Sequence, residues 1–83
     1  SFSIKSNNME LVTKEIIEEV EPLYINKKNI NIKLLIEPET ILEADFDYER
    51  IKQVLRNIFA NAIKFTAEGT LIAQIYNCEL SYE

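Results

Sequence analysis

The spacing of apolar residues switches along this chain between a helical and a strand period, and the order of the switches confines it to a mixed fold. Met9, Val12, Ile16, Val20, Leu23 and Tyr24 recur at steps of three and four, with Glu10, Glu15, Glu18, Glu19 and Glu21 mostly on the other side, which predicts an amphipathic helix over 9–28. Asn7 or Asn8 is suited to cap its start, Glu10 to its first turn, and Lys27 and Lys28 to its end, while the interior Pro22 predicts a kink. Ile30, Ile32, Leu34 and Ile36 then alternate with Asn31, Lys33 and Leu35, the period of a half-buried strand over 30–37 that Pro38 ends. Ile41 to Ala44 reads as a second, short strand, paired antiparallel with the first across the Pro38-Glu39-Thr40 turn.

Asp47 is placed to cap a second helix over 48–65, in which Ile51, Val54, Leu55, Ile58, Ala62 and Phe65 form a stripe of about 100° expected to pack on the sheet. Thr66-Ala-Glu-Gly69, with the only glycine of the chain, breaks that helix, and Leu71, Ala73 and Ile75 against Thr70, Ile72, Gln74 and Tyr76 predict a strand over 70–77. No repeat, low-complexity tract or linker interrupts this order. The fold class is α+β, and residues 1–83 form one domain or part of one, since a chain of 83 residues buries only a modest core.

The chemistry concentrates in the second helix. Asn57 and Asn61 lie four residues apart, so both carboxamides project from one face. Arg50, Gln53, Asn57, Asn61 and Lys64 fall within a polar stripe of about 80° that is expected to border the apolar one. Between Arg50 and Ala67 the chain carries Arg50, Lys52, Arg56 and Lys64 and no acid; against a net charge of −5 this leaves −9 on everything outside that window. A basic island with neutral amides at helical spacing, on an otherwise acidic chain, suits a polyanion with its metal counterion, such as a nucleoside triphosphate with magnesium.

Other classes are disfavoured. A pI near 4.7 argues against the broad basic surface of a nucleic-acid binder. No apolar run approaches the roughly 18 residues of a membrane span, and the start lacks a secretory signal, so a cytoplasmic segment without membrane contact is expected. With one cysteine, Cys78, and no histidine, an internal disulfide and the usual nitrogen and sulfur metal sites are excluded, as is the commonest general base. Cys78 reads as a small apolar strand residue.

The order of elements, together with Asp45-Phe-Asp-Tyr-Glu-Arg-Ile-Lys-Gln-Val-Leu-Arg-Asn-Ile-Phe-Ala-Asn-Ala-Ile-Lys-Phe-Thr66, resembles the first half of a sensor histidine kinase ATP-binding domain, of the GHKL or Bergerat-type ATPase superfamily. The likeness covers the layout of the whole chain, with its specific residues in the segment called the N box. The resemblance implies an incomplete two-layer α/β sandwich, with ATP and Mg²⁺ as cofactors. Asn61 would ligate the magnesium through its amide oxygen, Asn57 would support it from one turn earlier, and Lys64 would reach the phosphates. Arg50 is a weaker phosphate candidate and, like Gln53, is expected to brace the helix.

In the related gyrase and heat-shock chaperone ATPases, the position four before the magnesium asparagine is commonly a water-activating glutamate. Asn57 occupies it here and cannot act as a base, which fits transfer of the γ-phosphoryl group to a protein rather than to water. The implied parent is a two-component kinase that phosphorylates a histidine on its own dimerisation domain and serves a response regulator. The Asp-x-Gly-x-Gly segment, lid and later glycine-rich turn of such domains are not in these 83 residues, nor is a phosphoacceptor histidine. The expectation is therefore a chain that is inactive alone and binds ATP poorly, with an uncovered apolar face that favours a homo-oligomer. The alternative is a noncatalytic, kinase-like interaction module; a kinase acting on serine of an anti-sigma partner, or a related ATPase, is a third reading.

Overall fold

The structure, a computed structural model, describes residues 3–24 and 29–78. Its order is β1 (Ile4–Asn8), α1 (Met9–Tyr24), β2 (Asn29–Ile36), β3 (Glu43–Asp47), α2 (Tyr48–Lys64) and β4 (Glu68–Ile75). This is a mixed α+β arrangement of two helices and two small sheets.

Both helices begin where side-chain acceptors satisfy their first amides. Asn8 Oδ1 accepts from the backbone N–H groups of Glu10 (2.8 Å) and Leu11 (3.1 Å). Asp47 Oδ1 accepts from that of Arg50 at 3.2 Å, and its Oδ2 from that of Ser3 at 2.8 Å, so one carboxylate caps α2 and fastens the start of β1. α1 continues through Pro22, which can accept no ladder role from its ring nitrogen, as far as Tyr24. The remainder of the expected helix, 25–28 with Lys27 and Lys28, lies outside the described residues. α2 closes without glycine: Phe65 N–H donates to Asn61 O and Thr66 N–H to Ile63 O, both at 3.2 Å. Gly69 instead sits inside β4 with φ +119°, a conformation that only glycine adopts without strain.

The strand pairing corrects the expected hairpin. β3 runs over 43–47 rather than 41–44, and its partner is β1, antiparallel from Ile4↔Asp47 to Asn8↔Glu43. β1 was not anticipated at all. β2 pairs in parallel with β4, aligning Ile32 with Leu71, Leu34 with Ala73 and Ile36 with Ile75. The physical reason is the apolar pattern: β4 matches the alternation of β2 from Ile32↔Leu71 to Ile36↔Ile75, whereas Glu43-Ala-Asp-Phe-Asp47 offers little to bury. The Pro38-Glu39 turn leads the chain away from β2, with Glu39 at φ 65° and Thr40 N–H donating back to Glu37 O. Asn77 holds this turn to the end of β4, accepting from Ile41 N–H at 3.0 Å and donating to Glu39 O at 3.3 Å.

The core lies where α1 crosses α2 above the β2–β4 ribbon. Ile16, Val20, Phe59 and Ile63 form its buried cluster, and Ile30, Ile32, Leu55, Leu71 and Ala73 pack against it. On α2 this corrects the expected stripe. Phe59 and Ile63 are buried, while Val54, Ile58 and Phe65 are exposed, so the buried face is turned by about a quarter of a revolution from the apolar stripe of the sequence. The helix packs chiefly on α1. Replacing Ile63 with Ala should cost about 2–4 kcal/mol, because it empties a fully enclosed site. Val54→Ala should change stability by less than about 1 kcal/mol in the same denaturation experiment; the reverse ranking would mean that the sequence-derived stripe faces inward.

Candidate functional site

The polar stripe of α2 is solvent-exposed along its length: Arg50, Gln53, Asn57, Asn61 and Lys64 all lie on the surface. Asn57 and Asn61 are separated by one turn, about 6 Å of axial rise, so that their amide oxygens serve the same side of the helix. Lys64 follows on that side, its ammonium 5.4 Å from the centre of the Phe65 ring. The stripe was expected to border the core. It lies instead almost opposite the buried face, with the exposed apolar residues Val54, Ile58 and Phe65 between.

The basic island divides in two. Lys52 and Arg56 turn toward α1 and are engaged there. Lys52 Nζ donates to Glu15 Oε1 at 3.2 Å, and Arg56 reaches Glu19 with both Nε and Nη2, the latter at 3.0 Å from Oε1. Tyr48 adds its hydroxyl, donating to Glu15 Oε2 at 2.6 Å. Only Arg50 and Lys64 remain on the amide side, which narrows the cationic part of the site to the two basic residues among its sequence-predicted members.

The sequence reasoning passed over Glu15 and Glu19. The signal was present: two acids four apart on one helix and two bases four apart on the other, Lys52 and Arg56, which two helices running in the same direction can match rung for rung. These contacts shift the groups that make them. Hydrogen bonds from Tyr48 and Lys52 hold the Glu15 carboxyl below its ordinary value, and the Arg56 fork does the same for Glu19. The N–H groups of Ser3 and Arg50 depress Asp47. Tyr48 is pushed up by its bond to the Glu15 carboxylate, and Arg56 by Glu19.

An apolar groove of about 470 Å³ opens between α2 and β4, lined by Met9, Leu55, Ile58, Phe59, Leu71 and Tyr76 among others. None of the polar stripe lines it. Among the described residues no group of three or more His, Cys, Asp or Glu could hold a metal. A magnesium ion keeps most of its water or takes phosphate oxygens and needs only one or two protein donors, so a pair of exposed amide oxygens fits that cation when it arrives with a polyphosphate. No described helix is long and apolar enough to cross a membrane.

No family model matches the chain. Curated relatives do. A segment of 69 residues, 83% of the chain, is 32% identical to hybrid signal transduction histidine kinase B of Dictyostelium discoideum. Over 47 residues, 57% of the chain, it is 43% identical to the sensor histidine kinase GacS of Pseudomonas protegens. Over 99% of its length it is 27% identical to the sensor histidine kinase RcsC of Salmonella typhimurium. The chain spans 3%, 5% and 9% of these three proteins, respectively. Its relatives are thus sensor histidine kinases, and the resemblance drawn from the sequence agrees with them at the level of the histidine kinases.

The three depressed carboxyls set a pH dependence. A carboxylate whose folded value is lowered contributes stability above its unfolded value, 4.5 for glutamate, and loses it as the pH falls through the folded value. Melting temperature should therefore hold steady from neutral pH to about 5 and fall below about 4. Glu15→Gln should flatten that acid limb; an unaltered acid limb would remove Glu15 from it. Tyr48, raised by the same bond, has the opposite sign: its contribution is complete below pH 10 and is lost above.

Proposed function

We propose that the chain is part of a sensor histidine kinase and carries the metal and phosphate side of its ATP-binding domain, in a fold of the Bergerat type whose N box is α2. The observation that carries this reading is the placement of Asn57, Asn61 and Lys64 on one exposed side of α2, away from its buried face. The identity of the relatives supports it independently.

Bound with ATP, magnesium would neutralise phosphate charge and orient the γ-phosphoryl group for transfer. The chain's own residues would act around it. Asn61 offers an amide oxygen as a hard, neutral donor, and Asn57 holds a second amide one turn below. Lys64 brings a mobile positive charge to the phosphates, and Arg50 extends the positive potential at the other end of the stripe. Asn57 accepts no proton at neutral pH and so cannot activate water, which suits transfer to a protein side chain rather than hydrolysis. The acceptor in this reading is a histidine on the dimerisation domain of the parent protein, which then serves a response regulator in the cytoplasm.

A second reading, a noncatalytic interaction module, is favoured by the exposed apolar residues Val54, Ile58, Phe65, Ile72 and Tyr76, which suit self-association of the 83-residue chain. Light scattering at micromolar concentration should then give an oligomer, and a stable monomer would count against it. For the kinase reading, titration of the full-length protein carrying this chain with Mg-ATP should give binding that Asn61→Ala weakens more than roughly tenfold, a loss of about 1.4 kcal/mol. Equal affinity in both proteins would remove Asn61 from the site.

A further inference from the structure

We propose that the cross-helix ladder of Glu15 with Tyr48 and Lys52, and of Glu19 with Arg56, positions the amide stripe by setting the rotation of α2 about its axis. The inference rests on the nucleotide reading above and adds five positioning residues, two on α1 and three on α2 away from the amide stripe, none of which would touch the ligand.

The argument starts from an ambiguity in α2. Its sequence offers two apolar faces about a quarter turn apart: Ile51, Val54, Leu55, Ile58, Ala62 and Phe65 on one, Leu55, Phe59 and Ile63 on the other. Hydrophobic burial alone does not choose between them, since Val54, Ile58 and Phe65 of the larger set are left exposed. The buried cluster supplies only Phe59 and Ile63 from α2, a narrow seat for a helix of 17 residues.

The ladder distinguishes the faces. On the helical wheel Lys52 projects between Phe59 and Ile63 and Arg56 just beside Ile63, so the observed rotation brings both to Glu15 and Glu19, and the alternative rotation carries both away. The Arg56 guanidinium meets the Glu19 carboxylate through two nitrogens, a planar fork that fixes direction as well as distance. Lys52 is held more tightly than a surface lysine, its side chain only 15% exposed beside the Tyr48 ring.

Small rotations matter at the other side. A side-chain tip about 6 Å from the helix axis moves about 2 Å when the helix turns by 20°. Metal and phosphate contacts tolerate a few tenths of an ångström. Exposed ion pairs contribute little to stability, so the ladder should be felt in ligand geometry more than in melting.

The test uses Mg-ATP titration of the full-length protein, well below its melting temperature. Glu19→Gln and Arg56→Gln should each weaken binding roughly tenfold while shifting Tm by less than about 4 °C, and the exchanged pair Glu19→Arg with Arg56→Glu should recover most of the affinity. Arg56→Lys keeps the charge, loses the fork and should fall between; it replaces Arg56→Gln if that variant unfolds. Unchanged affinity in Glu19→Gln and Arg56→Lys, with Asn61→Ala still defective, would overturn the ladder's role and leave the nucleotide reading intact. Unchanged affinity in Asn61→Ala would overturn both.

Discussion

The crossing of α1 over α2 is the contact on which the rest of this structure depends. Among the described residues neither sheet has more than two strands, and a two-stranded ribbon has little stability of its own in water. The β2–β4 ribbon becomes worth forming because Ile30, Ile32, Leu71 and Ala73 meet the cluster that Ile16, Val20, Phe59 and Ile63 build between the helices. Thr13, the buried polar residue beside this cluster, donates its hydroxyl to Met9 O at 2.7 Å and so adds no unsatisfied group. The β1–β3 ribbon is tied in by shorter means: Asp47 ends β3, caps α2 and holds Ser3, while Asn7 Nδ2 donates across the ribbon to Phe46 O at 2.9 Å.

α2 divides its tasks around one circumference. The side that meets α1 holds both the core residues Phe59 and Ile63 and the paired bases Lys52 and Arg56, and the side away from it carries exposed amides and cations. Between the amides and the core runs a strip of uncovered apolar residues that continues into the groove beside β4. This division bears on the charge count of the helix: Lys52 and Arg56 are engaged by acids of the preceding helix, while Arg50 and Lys64 stand on the amide side.

What could be read from the residues alone was whatever depends on near neighbours. The caps at Asn8 and Asp47, the inward set Ile30, Ile32, Leu34 and Ile36, and the shared side of Asn57, Asn61 and Lys64 all follow from local period and side-chain chemistry. What escaped depends on distant partners. Ile4 is the one strongly apolar residue of β1, too little for a strand signal, and that strand exists because its backbone meets β3. The face of α2 that is buried is chosen by α1, so a sum over its own apolar positions pointed a quarter turn away. The partner of β2 was misjudged because proximity in sequence favoured the nearest strand, whereas the matching apolar alternation lay in β4. The roles of Asn57, Asn61 and Lys64 came from resemblance, with the geometry adding their shared exposed side.

The pairings have a common arithmetic that reaches beyond contacts. β1, α1 and β2 occupy the first part of the described chain and β3, α2 and β4 the second, in the same order, and every major partnership joins a member of one set to its counterpart in the other. Strand partners in the β2–β4 ribbon are 39 residues apart, and the helix rungs 37. Neither set holds a core by itself. The molecule is in effect two interlocking pieces joined at the Pro38-Glu39 turn, so its folding must close a loop of about that length before either ribbon or the helix pair forms, and completing the core is a docking of the two pieces rather than growth from one end.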